Sequence, residues 1–214
     1  MKEEEIPDYN IFMMCESLDK NALSELSKEF KIRSCREDEL PIWRAFPFDN
    51  PKDAMEYDQF MVEYFNSTYK GKETEFYNKT LFVCDKNDNP LATCMVWKAY
   101  GVFNAIHWFK VLKKAEGNGI GRALFSIIMK SLKDEDYPIY LHTQPSSFRA
   151  IKLYSDFGFD ILTDEKIGTR QNEIDESLPI LKEFMPDDFF QQLRFRKAPK
   201  PFVETVKRYK TNEF

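Results

Sequence analysis

Apolar positions along this chain switch repeatedly between a spacing of two and a spacing near 3.6, and the switches mark out its elements. Residues 11–15, Ile-Phe-Met-Met-Cys, form a short apolar run that reads as an extra strand or helix packed on the core. From 19 to 30, Leu23, Leu26 and Phe30 recur at helical spacing. Residues 30–35 alternate and predict the first core strand. A helix opens at 37–43, with Pro41 near its first turn. After the break at Asn50-Pro51, residues 53–69 read as one long helix with Met55, Phe60, Met61, Tyr64 and Phe65 on or near one face. Residues 81–84 and 91–98 are strands joined by a hairpin turn over 85–90, and 105–111 is the next strand.

The second half begins with a glycine cluster. Three of the seven glycines fall at 117, 119 and 121, between the strand 105–111 and a helix that reaches about residue 133, with Ile120, Leu124, Ile127, Ile128 and Leu132 on its apolar side. Residues 138–143 form a strand. Ser146 or Ser147 is placed to cap a helix running to about residue 157, and Gly158 ends it. Phe159 starts another strand, and 163–182 reads as a turn and a last strand. The tail, 185–214, carries Pro199 and Pro201 and predicts one or two short helices. An antiparallel hairpin followed by strand, glycine loop, helix, strand, helix and strand is a mixed α/β order.

Composition narrows the partners. The net charge is −5 and the pI about 5.3, without the basic excess a general nucleic-acid binder needs. Apolar residues make up 43% of the chain, yet no apolar run approaches the roughly 18 residues of a membrane span. The acidic start, Met1-Lys2-Glu3-Glu4-Glu5, is not expected to act as a signal peptide. Neither a nucleic-acid nor a membrane partner is expected. Cys15, Cys35, Cys84 and Cys94 are far apart, and with two histidines in the chain no metal site is expected. They read as free buried thiols of a reducing compartment such as the cytoplasm. Phe189, Phe190 and Phe202 leave two roles open, covering the sheet or covering a second copy in a homodimer.

Glycines at the mouth of a helix let the backbone turn tightly and bring unpaired N–H groups and the positive dipole end up to a phosphate. The segment lacks G-x-x-x-x-G-K-[ST], which excludes a P-loop. It also fails G-x-G-x-x-G, because Arg122 and Leu124 stand where a third glycine would be needed.

The residues Val111 and Glu116-Gly117-Asn118-Gly119-Ile120-Gly121-Arg122 resemble the pyrophosphate loop of the GNAT superfamily of acyl-CoA-dependent N-acyltransferases, Q/R-x-x-G-x-G/A with a valine five residues before it. Downstream, Ser147-Phe148-Arg149-Ala150-Ile151-Lys152-Leu153-Tyr154, followed by Gly158-Phe159, is similar to that family's N-x-x-A-x-x-L-Y-x-x-x-G-F element. Glu116 stands where glutamine or arginine is usual, and Ser147 where asparagine is usual. The resemblance covers about residues 30–165. It implies a three-layer α/β domain, a central mixed and mostly antiparallel sheet of about six or seven strands flanked by helices. That sheet would splay at the acyl-CoA cleft, between the strand before the glycine loop and the strand before Gln144. Residues 1–29 would be an extension packed on this core, and 166–214 a last strand and helical tail.

The resemblance also assigns roles. Backbone amides from Gly117 to Arg122 would hold the pyrophosphate of acetyl-CoA. Val111 would bind the pantetheine and, through its N–H, the thioester carbonyl, a kind of donor worth about 3–4 kcal/mol in well-studied enzymes. Tyr154 would protonate the leaving thiolate, as a phenol of pKa about 10 can. A primary amine must lose a proton before it attacks, and His107 is the candidate base. Alternation from Val111 places it on the strand face of Ala105 and Phe109. Arylalkylamine N-acetyltransferases are similar in carrying a histidine there, while Ala105 stands where a second histidine, or in other relatives a glutamate, would be. His142 is read as structural. Glu56, Asp58 and Glu63 are candidates to attract a cation. No cysteine occupies a motif position, so direct transfer without a covalent enzyme intermediate is expected. The function implied is N-acetylation of a small-molecule amine. The alternatives are acetylation of a protein N-terminus or lysine, and a non-catalytic acyl-CoA-binding module.

Overall fold

The structure, a computed structural model, describes residues 2–209 and 213. In chain order the elements are β1 (Ile11–Cys15), β2 (Lys31–Ser34), α1 (Leu40–Ala45), α2 (Pro51–Glu56), α3 (Asp58–Thr68), α4 (Glu73–Lys79), β3 (Leu81–Cys84), β4 (Pro90–Ala99), β5 (Phe103–Val111) and α5 (Ile120–Lys130). There follow β6 (Ile139–Thr143), α6 (Phe148–Asp156), β7 (Phe159–Leu162), β8 (Lys166–Ile167), β9 (Arg170–Gln171), α7 (Ile174–Phe184), α8 (Asp187–Gln191), β10 (Phe195–Arg196) and α9 (Lys200–Val206). The fold is mixed α/β, mostly antiparallel strands flanked by helices. Among the described residues no helix is long and apolar enough to cross a membrane.

The chain divides into two compact units. The first holds Met1–Ala22, Lys98–Ala105 and Lys133–Phe214; the second holds Leu23–Trp97 and Ile106–Leu132.

In the first unit the strand order is β10-β7-β1-β6. β1 is antiparallel to both neighbours, with Met13 opposite Leu141 on one side and Ile161 on the other. All five β1 side chains are fully buried, which is why this run shows no alternation: a strand covered on both faces reads as continuous apolar sequence. The open choice between strand and helix resolves to a central strand. Phe12, Met14, Tyr140 and Leu162 pack with Phe202 and Val206 of α9, and the Phe202 ring stacks on Tyr140 with centroids 3.8 Å apart. Phe202 therefore covers the sheet of its own unit.

The second unit has β2, β3 and β4 in antiparallel succession, with β5 beside β4. β2 is an edge strand with exposed ends rather than a core strand. The core under α1, α3 and α4 is aromatic. The Trp43 ring lies within 6.1 Å of the rings of Phe65, Tyr69, Phe76 and Trp108.

Three further expectations change, and one helix, α4, forms where none was expected. Residues 19–30 form only a short 3-10 turn over Lys20–Ala22: Asp19 N–H donates to Phe157 O and Ser24 N–H to Ser126 Oγ, while Asn21, Ala22, Glu29 and Phe30 N–H close short local turns on Asp19 and Ser27. The helix expected over 53–69 is two helices, broken at Tyr57 (φ −93°, ψ 3°). α4 follows the left-handed Gly71 and is held by the fully buried Phe76. Residues 163–182 give the short β8–β9 ribbon and then a helix, α7. Pro179 argues against a helix there, but burial of Ile174, Ile180 and Leu181 overrides it.

Gly158 has φ +101°, and a Cβ there would sit 2.7 Å from Ser17 O. Gly71 has φ +84° with open space around it. Gly158→Ala is expected to lower unfolding free energy by about 2 kcal/mol or more, and Gly71→Ala by about 1 kcal/mol, read as urea midpoints at unchanged slope.

Candidate active site

β5 delivers the chain to the glycine segment in the second unit. Its end is pinned by Leu112 N–H donating to Leu91 O at 2.9 Å. Asp49 holds the next residues: Lys110 Nζ donates to its Oδ2 at 2.5 Å and Lys113 N–H to its Oδ1 at 3.0 Å. Burial opposes ionisation of Asp49, but these two donors outweigh it and keep the carboxyl below its usual range.

The loop turns through two left-handed glycines, Gly117 (φ 79°) and Gly119 (φ 70°), each with open space where a Cβ would lie. Asn118 Nδ2 donates back to Ala115 O and Glu116 O, both at 3.2 Å. Gly119 is the N-cap of α5 and has no side chain to cap it. The first turn bond recorded there is Ala123 N–H to Gly119 O at 3.0 Å. Gly121 serves packing: a Cβ there would meet Val111 Cγ2 at 3.1 Å and the Phe109 ring at 3.4 Å. Ile120 is buried, Arg122 half-buried, and the Glu116 side chain is exposed to solvent. Val111 ends β5, a 3-10 turn over Lys113–Ala115 follows, and the open left-handed glycines then lead into an 11-residue helix without side-chain capping. That arrangement fits a pyrophosphate held by main-chain N–H groups, and the exposed Glu116 leaves room for it.

His107 is buried at 6% exposure and its Nδ1 lies 2.8 Å from the Tyr69 hydroxyl. Its facing differs from expectation. Trp108 has φ +54°, a left-handed conformation costly for a bulky residue. It interrupts the alternation, so His107 and Trp108 both reach the aromatic core: His107 meets Tyr69, and Trp108 meets Trp43 and Tyr64. Phe109 lies opposite, against Phe125 of α5. His107 therefore does not share a face with Phe109.

The remaining motif residues lie in the first unit. Tyr154 sits on α6, 5% exposed, its ring 5.9 Å from that of Phe159. Ser147 is the N-cap of α6, but its side chain makes no capping bond. Its φ −88°, ψ 27° ends a 3-10 turn over Pro145–Ser147 instead of the extended geometry a capping serine adopts. Gly158 ends this helix as expected, with φ +101°. His142 Nε2 lies 2.9 Å from Asn10 Oδ1 and its ring 5.1 Å from Phe12. Burial, helped by the Arg170 cation, lowers its pKa to about 3, so it is neutral at pH 7. Of the candidate acids, Asp58 pairs with Arg44 at 2.9 Å, Glu63 accepts from Gln59 at 2.8 Å, and Glu56 is exposed. All four cysteines are buried free thiols. Sequence reasoning missed Tyr69, which looked like the unremarkable end of a helix; no spacing rule pairs it with His107.

Residues 37–159 match the Acetyltransferase (GNAT) family, more than half of the chain. The chain belongs to this family. Solved structures similar to this GNAT chain include a Drosophila malonogaster protein (18% identity, 72% of this chain and 48% of the other, TM-score 0.45). A GNAT acetyltransferase from Colwellia psychrerythraea is also similar (14%, 73% and 53%, TM-score 0.49), as is one from Staphylococcus aureus Mu50 (15%, 59% and 81%, TM-score 0.40). The chain matches about half the length of the first two. No curated protein matches it. GNAT proteins transfer acyl groups from acyl-CoA, and both the glycine turn and α6 fall inside the matched segment.

Two outcomes are expected. Gly119→Ala forces a side chain into φ 70°, at roughly 1–2 kcal/mol, and should weaken CoA binding about tenfold by calorimetry with helix content kept. His142 has a depressed folded pKa, so its neutral state favours folding above the unfolded value of about 6.5, and that stability is lost as pH falls toward about 3. The urea midpoint should therefore drop more steeply between pH 6.5 and 4 in the wild type than in His142→Gln.

Proposed function

We propose that this protein moves an acetyl group from acetyl-CoA directly to the primary amine of a small molecule. The observation that carries this reading is the pair of open left-handed glycines, Gly117 and Gly119, leading into α5 without side-chain capping. In this role main-chain N–H groups from Gly117 to Arg122 hold the pyrophosphate, and Val111 orients the pantetheine and polarises the thioester carbonyl. At pH 7 only on the order of one part in a thousand of an alkyl amine is neutral. His107 takes one proton from the ammonium, and the freed lone pair bonds to the carbonyl carbon. As the carbon–sulfur bond breaks, Tyr154 gives its phenolic proton to the departing sulfur. The second proton lost by the nitrogen restores Tyr154 through solvent, and His107 returns its own to water. No enzyme atom bonds to the acetyl group.

A second reading, acetylation of a protein amine, is favoured by one observation. Ile42, Met55, Tyr57 and Phe60 are exposed large apolar side chains in the second unit, and Asp53 and Glu56 are exposed acids close to the last three in sequence. Exposed apolar and acidic side chains of this kind suit a basic, apolar peptide.

Thiol release from acetyl-CoA across a panel of small primary amines and basic peptides tests both readings. Small amines should support turnover, and Tyr154→Phe should lower kcat by about 100-fold with CoA affinity kept. Full turnover by Tyr154→Phe would remove the assigned acid, and turnover with peptides alone would replace the first reading by the second. CoA binding without turnover on any amine would favour a binding module.

A further inference from the structure

The role of His107 depends on which imidazole nitrogen carries the proton, and the structure holds one of the two. Its Nδ1 lies 2.8 Å from Tyr69 Oη, with both residues buried. The phenol has little freedom to move. Tyr69 follows α3, its N–H donates to Phe65 O at 2.8 Å, and its C=O accepts from Lys72 N–H at 2.9 Å. Its ring is packed against Trp43, Tyr64, Phe65, Phe76 and Trp97 at centroid distances of 4.8–5.9 Å. The left-handed Trp108 beside His107 turns the imidazole to the side where this phenol stands. A backbone outlier of that kind persists only where its surroundings over-determine it, and here the Trp108 ring is wedged against Trp43 and Tyr64.

We propose that Tyr69 is a positioning residue that holds His107 in its Nδ1–H form, so that Nε2 is the nitrogen that receives the amine proton. The inference rests on the reading of His107 as the base. A neutral imidazole has one N–H. With that hydrogen on Nδ1, His107 donates to the Tyr69 oxygen, Nε2 carries the lone pair, and proton uptake at Nε2 leaves the Nδ1–H···Oη bond in place and strengthened by charge. With the hydrogen on Nε2 instead, the phenol would donate to Nδ1 and the ring could take a proton only by breaking that bond. A rigid partner on Nδ1 thus keeps the same hydrogen bond through the whole proton cycle.

The test is the long-range 1H–15N spectrum of histidine-labelled protein at neutral pH. The chain has two histidines, and His107→Gln assigns them. The expected result is a pyridine-like 15N resonance at Nε2 and a pyrrole-like one at Nδ1 for His107. In Tyr69→Phe the two should average toward a tautomer mixture, and kcat should fall roughly tenfold, as when an outer partner fixing an imidazole is removed. KM should stay within about twofold, since Tyr69 is not assigned a substrate contact. An Nε2–H tautomer in the wild type, or Tyr69→Phe with unchanged tautomer and kcat, would overturn the proposal. If Tyr69→Phe does not fold, the wild-type tautomer alone decides. Full activity of His107→Gln with the Nδ1–H form intact in the wild type would overturn the base assignment while leaving the positioning effect standing, so the two failures are distinguishable.

Discussion

The contact between Gly121 and the end of β5 sets the geometry of everything around it. A helix that begins three residues after a turn can aim its N–H groups at a ligand only if its first turn lies close against the strand that precedes it. Here Val111 Cγ2 and the Phe109 ring stand only 3.1 and 3.4 Å from where a Cβ on residue 121 would lie. The absence of a Cβ thus lets α5 lie close against β5 without displacing Val111. Gly117 and Gly119 then supply the two left-handed steps that reverse the chain between them. Three glycines close in sequence do different work: two bend the backbone and one lets two elements approach.

The same strand carries a second constraint, of opposite character. Trp108 adopts a conformation that suits glycine, and the aromatic core holds it there. The consequence is a reversal of facing within β5. His107 is drawn into a buried hydrogen bond with Tyr69, while Phe109 and Val111 remain on the α5 side. A strand of nine residues thereby presents His107 on one face and the mouth of a helix on the other.

How much of this could be read from sequence follows from what each feature depends on. The glycine turn, α5 and the β3–β4 hairpin are local: spacing and turn residues specify them within a few positions, and they form where expected. The burial of β1 was legible as an apolar run, but its place between β6 and β7 depends on partners more than 120 residues away. Residues 19–30 carry helical spacing, yet Asp19 and Ser24 N–H find acceptors far along the chain and the remaining bonds close short local turns, so a weakly nucleated helix does not form. α7 shows the reverse case, in which burial overrides an internal proline. The facing of His107 was misread because alternation assumes an unbroken strand, and nothing in Ile-His-Trp-Phe announces a left-handed tryptophan. Tyr69 lies 38 positions from His107, and only packing brings the two together.

The central claim is that the glycine turn at the head of α5 is where this GNAT chain holds the pyrophosphate of acyl-CoA. Backbone amide shifts of 15N-labelled protein titrated with CoA test it most directly. The account predicts saturable shifts at the amides of Gly117, Gly119, Ile120, Gly121 and Arg122, larger than those at Gly71, which has the same left-handed backbone but lies outside the turn. Saturable CoA binding that leaves these five amides unmoved would contradict it.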